Sequence, residues 1–118
     1  KYDSVIGQHV EDAALYFDVV APMIYPSHYL PLNFGFENPA EHPYEVVKGT
    51  LEQGIAKILS VRDKAVIRPW LQAFDMGASY GKGMIDLEKK AVQDAGFDYG
   101  WMLWNPNNIY QEEWFSIQ

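Results

Sequence analysis

Three apolar runs divide the chain: "YFDVVAPMIY" at 16–25, "AVIRPWLQAF" at 65–74 and "YGWMLWN" at 99–105. The first two are too long and continuous for strands with one wet face, and they read as strands covered on both sides, as in a parallel sheet. Pro22 and Pro69 fall inside them, and each lacks the N–H that a ladder uses, which favours an edge or a bulge. Between the runs, apolar residues recur at helical intervals. Ile6, Val10, Ala13, Ala14 and Phe17 predict a helix over 4–16, and Tyr44, Val47, Leu51, Ile55 and Ile58 predict one over 43–59. Pro43 suits the first turn of the second helix and Glu45 suits its positive end. Ile85, Ala91, Val92 and Ala95 predict a third helix over 85–95, which Gly96 stops. With strands over 17–25, 65–74 and 99–105, the order is helix, strand, helix, strand, helix, strand. Residues 1–118 are therefore expected to form a single α/β domain of three parallel βα-type units.

The connections are unequal. The links from strand to helix are long, seventeen residues in "PSHYLPLNFGFENPAEH" and ten in "DMGASYGKGM", against a usual span of roughly 2–6. The links from helix to strand, "SVRDKA" and "GFD", are short. In α/β sheets and barrels, ligands bind at the carboxyl ends of the strands, where loops of the long kind lie. In "VIRPWLQAF", Arg68, Trp70, Gln72 and Phe74 point one way, and Ile67, Pro69, Leu71 and Ala73 the other. The second set suits covering helices. The first places a guanidinium and an amide in a sheltered column, where polar groups need partners. That column is either a ligand wall or an internal polar layer in which Arg68 meets a carboxylate.

Composition narrows the partners. The 118 residues are 48% hydrophobic and 21% charged, as in ordinary globular proteins. The 15% aromatic share, with four Trp, is high, and such rings suit cores, interfaces and sugar-binding surfaces alike. A formal charge of −7 with nine scattered basic residues disfavours nucleic acid and anionic membrane surfaces. No apolar stretch reaches the roughly 20 residues of a membrane span. The absence of cysteine excludes disulfides, thiol nucleophiles and Cys-ligated zinc. His9, His28 and His42 form no metal pattern, and no metal or other cofactor is expected.

The chemistry-bearing candidates cluster at the strand ends. Tyr25, His28 and Tyr29 crowd the proline-bracketed turn of "YPSHYLP", and His28 has the range for acid, base or ligand work, or simply for bonding its own turn. Trp104 and Asn105 end the third run, an arrangement suited to stacking on a sugar ring while an amide binds hydroxyls. Trp101 faces the other way and is assigned to the core. Glycoside cleavage needs two carboxylates across the bond. The loop acids Asp75, Glu37 and Glu41 belong to no signature, and Glu45, Glu52 and Glu88 lie in helix patterns where solvent exposure is expected. Neither a phosphate-binding glycine loop nor a nucleophile elbow is present.

Four segments, "APMIYPSHY", "NPAEHPYEVV", "IRPWLQAF" and "DYGWMLWNPNNIY", together resemble a bacterial family described as putative glycoside hydrolases with a (β/α)8-barrel domain. They follow that family's order and spacing and cover most of the chain. The resemblance implies a partial (β/α)8 TIM barrel, its C-terminal third, with the three strands as the sixth to eighth. It also implies that Tyr25, His28, Tyr29, Arg68, Trp70, Gln72, Trp104 and Asn105 line a sugar-binding mouth. The family's candidate catalytic acid falls on an earlier strand, in a motif like Asp-Tyr-Val-Arg-Phe-Pro that this chain lacks. Relatives can also carry an acid where this chain has Ala73. The expected function is the sugar-binding part of a glycoside hydrolase, inactive alone; the alternative is a non-catalytic carbohydrate-binding or assembly domain. Three strands of a barrel leave open edges, so self-association, or completion by the missing N-terminal barrel strands, is expected. The compartment stays open, an extracytoplasmic one included.

Overall fold

Proline interrupts both long apolar runs without changing how they pair. The computed structural model of the protein describes residues 9–59 and 65–116. The run at 17–25 forms two short strands, β1 (Val19–Val20) and β2 (Met23–Ile24), and the run at 65–74 forms β3 (Val66–Ile67) and β4 (Trp70–Gln72). β1 pairs with β3 and β2 with β4, both in parallel. Val19 lies opposite Val66 and Ile24 opposite Leu71, so one register holds on both sides of the break and sets Pro22 opposite Pro69. The amides of Val66, Arg68 and Trp70 donate to the carbonyls of Asp18, Val20 and Pro22 at 2.9, 3.0 and 2.9 Å, an even parallel ladder. Two single expected strands are thus each split where a proline has no N–H to give.

β5 (Met102–Trp104) pairs in parallel with the other side of β4, with Leu103 opposite Leu71 and Trp104 opposite Gln72. It is shorter than the expected 99–105, and Gly100 precedes it with φ +85°, a left-handed conformation that glycine adopts without strain. The three-stranded sheet runs β2-β4-β5 in chain order.

Three helices accompany the strands. α1 covers Val10–Tyr16; residues 4–8 of the expected helix lie outside the described residues. α2 covers Pro43–Leu59, as its apolar spacing predicts, with Pro43 at its first position. α3 covers Lys82–Asp94, starting one turn before the expected point. It closes in a Schellman arrangement: Gly96, at φ +91°, donates to Gln93 C=O at 3.0 Å and Phe97 donates to Val92 C=O at 3.2 Å. α2 and α3 pack side by side, and the Tyr44 hydroxyl donates to Asp94 across them at 2.6 Å.

The two faces of the sheet differ. Ile24, Leu71 and Leu103 make a buried row that joins Val47, Leu51, Ile85, Val92 and Phe97 in the core. The other face carries Met23, Trp70 and Met102 in one row, and Met23 is 69% exposed. Among the described residues, then, helices cover one face, not the two expected. Methionine and tryptophan make the runs continuous in hydrophobicity whether or not anything covers them, and this is what misled the pattern.

Lys89 closes the fold at its C-terminal end. It is 7% exposed and donates to the carbonyls of Trp114 and Ser116 at 2.7 and 3.0 Å. Its ammonium also lies 3.2 Å from Asp86 and 4.9 Å from the centre of the Trp101 ring. Trp101 is half-buried against the core and stacks on Phe115. Lys89→Met keeps the aliphatic stem and removes the charged donor, and should cost about 2–3 kcal/mol. Chemical denaturation measures that loss, and tryptophan emission should shift as Trp114 is released.

Candidate functional site

The register places Trp70, Gln72 and Trp104, of the expected residues, on the open face. Met23, Trp70 and Met102 form one row. Two positions further along, Gln72 lies beside Trp104, and Tyr25 follows directly on Ile24 at the end of β2. The Trp70 and Trp104 rings meet edge to face, with centroids 6.0 Å apart at 83°. Trp104 keeps 41% of its surface in solvent at the carboxyl edge of the sheet. The pair therefore leaves a flat apolar ring open and held from one side.

Gln72 builds the rim. Its side chain is fully buried, so each polar position needs a protein partner. Oε1 accepts from Ser27 N–H at 3.0 Å, while Nε2 donates to Ser27 Oγ at 2.6 Å and to Phe74 C=O at 3.0 Å. Ser27 Oγ in turn donates to Met76 C=O. Two further links join the same loops: Asn38 Nδ2 to Gly77 C=O at 2.9 Å and Tyr80 OH to Ala40 C=O at 2.5 Å. Gly77 has φ +71°, and a Cβ there would come within 3.2 Å of Ala40 Cβ. The long loops after β2 and β4 consequently form one cross-linked body.

On that body, Tyr25 packs edge-on against His28 at 5.3 Å and against Phe74 at 5.5 Å. His28 sits on the outside, exposed, with its backbone N–H held by Tyr25 C=O at 2.9 Å in a short 3-10 turn. Tyr25 is buried. Burial first, then the neighbouring Tyr110 and Glu88, push its phenol up to about 12. Tyr25, His28, Gln72 and Trp104 thus come from three strand ends to one edge, with Trp70 two positions below them.

The other expected residues go elsewhere. Tyr29 turns to α2, where its hydroxyl meets Thr50 Oγ1 at 2.8 Å and its ring meets Phe34. Arg68 lies four residues before Gln72, about 13 Å down the strand at the usual rise, and its Nε donates to Tyr99 C=O at 2.7 Å. Its partner there is a carbonyl, not the carboxylate that an internal polar layer suggested. Asn105 is buried and serves the backbone: Nδ2 donates to Ala73 C=O at 2.6 Å, and Oδ1 accepts from Asn107 and Ile109 at 2.9 and 3.3 Å. Asp75 accepts from Tyr80 N–H at 2.7 Å, closing its own loop. No group of three or more His, Asp or Glu able to hold a metal occurs among the described residues.

Glu88 was expected in solvent and is instead fully buried. Oε1 accepts from the backbone N–H of Gln72 at 2.8 Å, whereas Oε2 has no hydrogen-bond partner among the described residues. Burial raises its carboxyl well above the ordinary range, and the Gln72 bond opposes that only in part. The signal was in the spacing: Glu88 falls three residues after Ile85 and four before Val92, inside the apolar stripe of α3.

Asn105→Ala should cost about 1–3 kcal/mol, since it strands Ala73 C=O and two loop amides. Urea denaturation reads that loss. The Trp70–Trp104 contact should loosen with it, lowering the near-ultraviolet circular dichroism of the tryptophans.

No curated protein and no solved structure matches the chain. A family model does, over residues 1–110, and its description is "Putative glycosyl hydrolase domain". Parallel strands with long loops at their carboxyl ends, an open tryptophan at that edge and a family match spanning nearly the whole chain agree in direction. This chain belongs to the putative glycosyl hydrolase domain family.

Proposed function

We propose that the carboxyl edge of the sheet binds a carbohydrate chain as part of a glycoside hydrolase, with Trp104 as the stacking platform. The observation that carries this reading is the ring of Trp104, 41% exposed at a strand end and braced edge-on by Trp70. A sugar presents C–H groups on one face and hydroxyls around its rim, so a flat ring beside polar groups suits it. His28, at the exposed side of the Tyr25–Phe74 cluster, is the side chain we assign to a sugar hydroxyl. Gln72 and Asn105 then act one step back, because both amides hold the loops that carry the rim. Arg68 and Tyr29 stand outside the binding edge on this reading.

The wider frame is a (β/α)8 barrel of which these strands are the last three. The order β2-β4-β5, all parallel, with helices on one face, supports it. Cleavage by acid and base needs two carboxyls, about 5–9.5 Å apart depending on stereochemistry. Asp75 accepts from a loop amide and Glu88 is sealed beneath the strand end. We therefore assign sugar binding to this chain and the catalytic carboxylates to strands beyond it.

A second reading has its own observation. Tyr16 and Phe17 at the end of α1, Val19 in β1 and Met23 in β2 are 81%, 63%, 41% and 69% exposed, and β1 and β2 form one side of the sheet. An apolar strand edge of this kind favours pairing with another chain, so self-association through it is the alternative.

The test is tryptophan emission titrated with hexasaccharides of glucose, xylose and N-acetylglucosamine, in wild type and Trp104→Ala. A saturable shift in wild type that weakens at least about tenfold in the variant, equivalent to ~1.4 kcal/mol, is the expected result. No response to any glycan from folded protein would overturn it. Light scattering on Phe17→Lys separates the second reading: that substitution should break a concentration-dependent dimer and leave sugar binding intact.

A further inference from the structure

The strand-end edge depends on a group that never reaches it. Along β3 and β4 the amides of Val66, Arg68 and Trp70 donate to carbonyls of the neighbouring strand. At the next rung, where Ile24 lies opposite Leu71, the amide of Gln72 also donates to Glu88 Oε1 at 2.8 Å, so a side chain from α3 joins the ladder where β4 ends. Gln72 is the same residue whose side chain takes both polar groups of Ser27 and the carbonyl of Phe74. We propose that Glu88 is a positioning residue for the strand-end site: from α3 it holds the last rung of β4, and through Gln72 it fixes Ser27 and the rim. This role rests on reading that edge as the ligand site, although the amide of Gln72 reports it separately.

Glu88 does this as an uncharged acid. It is fully buried, and its Oε2 has no hydrogen-bond partner among the described residues. An ionised carboxylate so placed would lose its hydration with a single N–H in return. The groups that face it are phenols, Tyr25 from the loop after β2 and Tyr80 from the loop after β4. Burial and then Glu88 push the Tyr80 hydroxyl up, and Glu88 contributes in the same direction at Tyr25, so neither supplies a charge. The cation next in sequence, Lys89, is engaged with Trp114, Ser116 and Asp86. Since Glu88 is fully buried beneath the strand end and bonds the Gln72 amide, its part is to position, not to transfer a proton to substrate.

The sign of the pH dependence follows. The folded state keeps a proton that the unfolded chain releases near the ordinary value of 4.5. Stability from this group is complete below that value and is lost as pH rises towards the raised folded value. Glu88→Gln keeps an oxygen for the Gln72 amide and has no proton to release.

The experiment compares wild type, Glu88→Gln and Glu88→Leu by amide hydrogen exchange in nitrogen-15 spectra, with denaturant midpoints from pH 4 to 8. Gln72 protection should survive in Glu88→Gln and fall at least about tenfold in Glu88→Leu, while Val66 and Trp70 keep theirs. The midpoint of Glu88→Gln should gain on wild type as pH rises above 4.5. Unchanged Gln72 protection in Glu88→Leu, equal loss in both variants, or a midpoint difference constant with pH would each overturn the inference. Where Glu88→Leu fails to fold, the Glu88→Gln exchange and midpoints decide alone. Hexasaccharide titration of the same samples keeps the two readings apart. Lost Gln72 protection with undiminished glycan affinity removes the positioning role. Loss of protection in Glu88→Leu alone, with no glycan bound even by wild type, keeps the rim role and removes the sugar.

Discussion

A primary amide sealed at the end of a parallel strand must find protein partners for its carbonyl and both its N–H groups, because water cannot reach it. Gln72 finds them in the loop after β2 and in its own following loop. The consequence extends beyond one side chain. Long loops normally move independently of the scaffold, yet here Ser27, Asn38 and Tyr80 carry the same linkage outward until the two loops share one set of bonds. On the proposed carbohydrate-binding reading this rigidity matters, since a stacking surface that moves loses affinity to ordering entropy. The buried amide therefore connects the sheet to the chemistry of its rim.

How much of this was readable from residues alone depended on what each pattern measures. Apolar spacing at helical intervals marks a buried face directly, and α2 begins and ends at the expected positions. Alternation within "RPWLQ" separated the two faces of β4 correctly, because a strand leaves no freedom in which side a residue takes. The same run does not report whether a face is covered. Met23, Trp70 and Met102 look like core residues in a hydropathy pattern, but an open aromatic face has the same composition. Pro22 and Pro69 each warned of an interruption; that they would fall opposite one another requires the register between strands, which no single run contains.

Site residues were harder for a related reason. Position near a strand end brought Tyr25, His28, Gln72 and Trp104 together, whereas polarity alone could not say what each polar group would bond. Asn105 and Gln72 are both amides at strand ends and both turn inward to backbone. Tyr29, one residue from His28, crosses to α2 because the 3-10 turn at Pro26–His28 rotates the chain between them. Glu88 was assigned to solvent on residue type, although its spacing from Ile85 and Val92 pointed inward. Where type and spacing conflict in a helix, spacing describes the geometry and type describes only an average.

Consecutive residues Glu88 and Lys89 show how α3 handles two ionisable groups that its amphipathic pattern carries into shelter. Lys89 remains near a carboxylate, two carbonyls and an aromatic face, so its charge is compensated on several sides. Among the described residues Glu88 has one backbone donor and no cation, and burial favours its neutral form. The first anchors the segment that ends in Trp114 and Ser116; the second holds the strand end that carries Gln72. One helix thereby tethers the C-terminal segment through Lys89 and the strand-end edge through Glu88. Salt screens exposed charges strongly and sheltered ones weakly, and an uncharged acid is not screened at all. The strand end is thus held at its base by a group whose neutral form burial favours, a direct result of burying a carboxyl where no counter-charge accompanies it among the described residues.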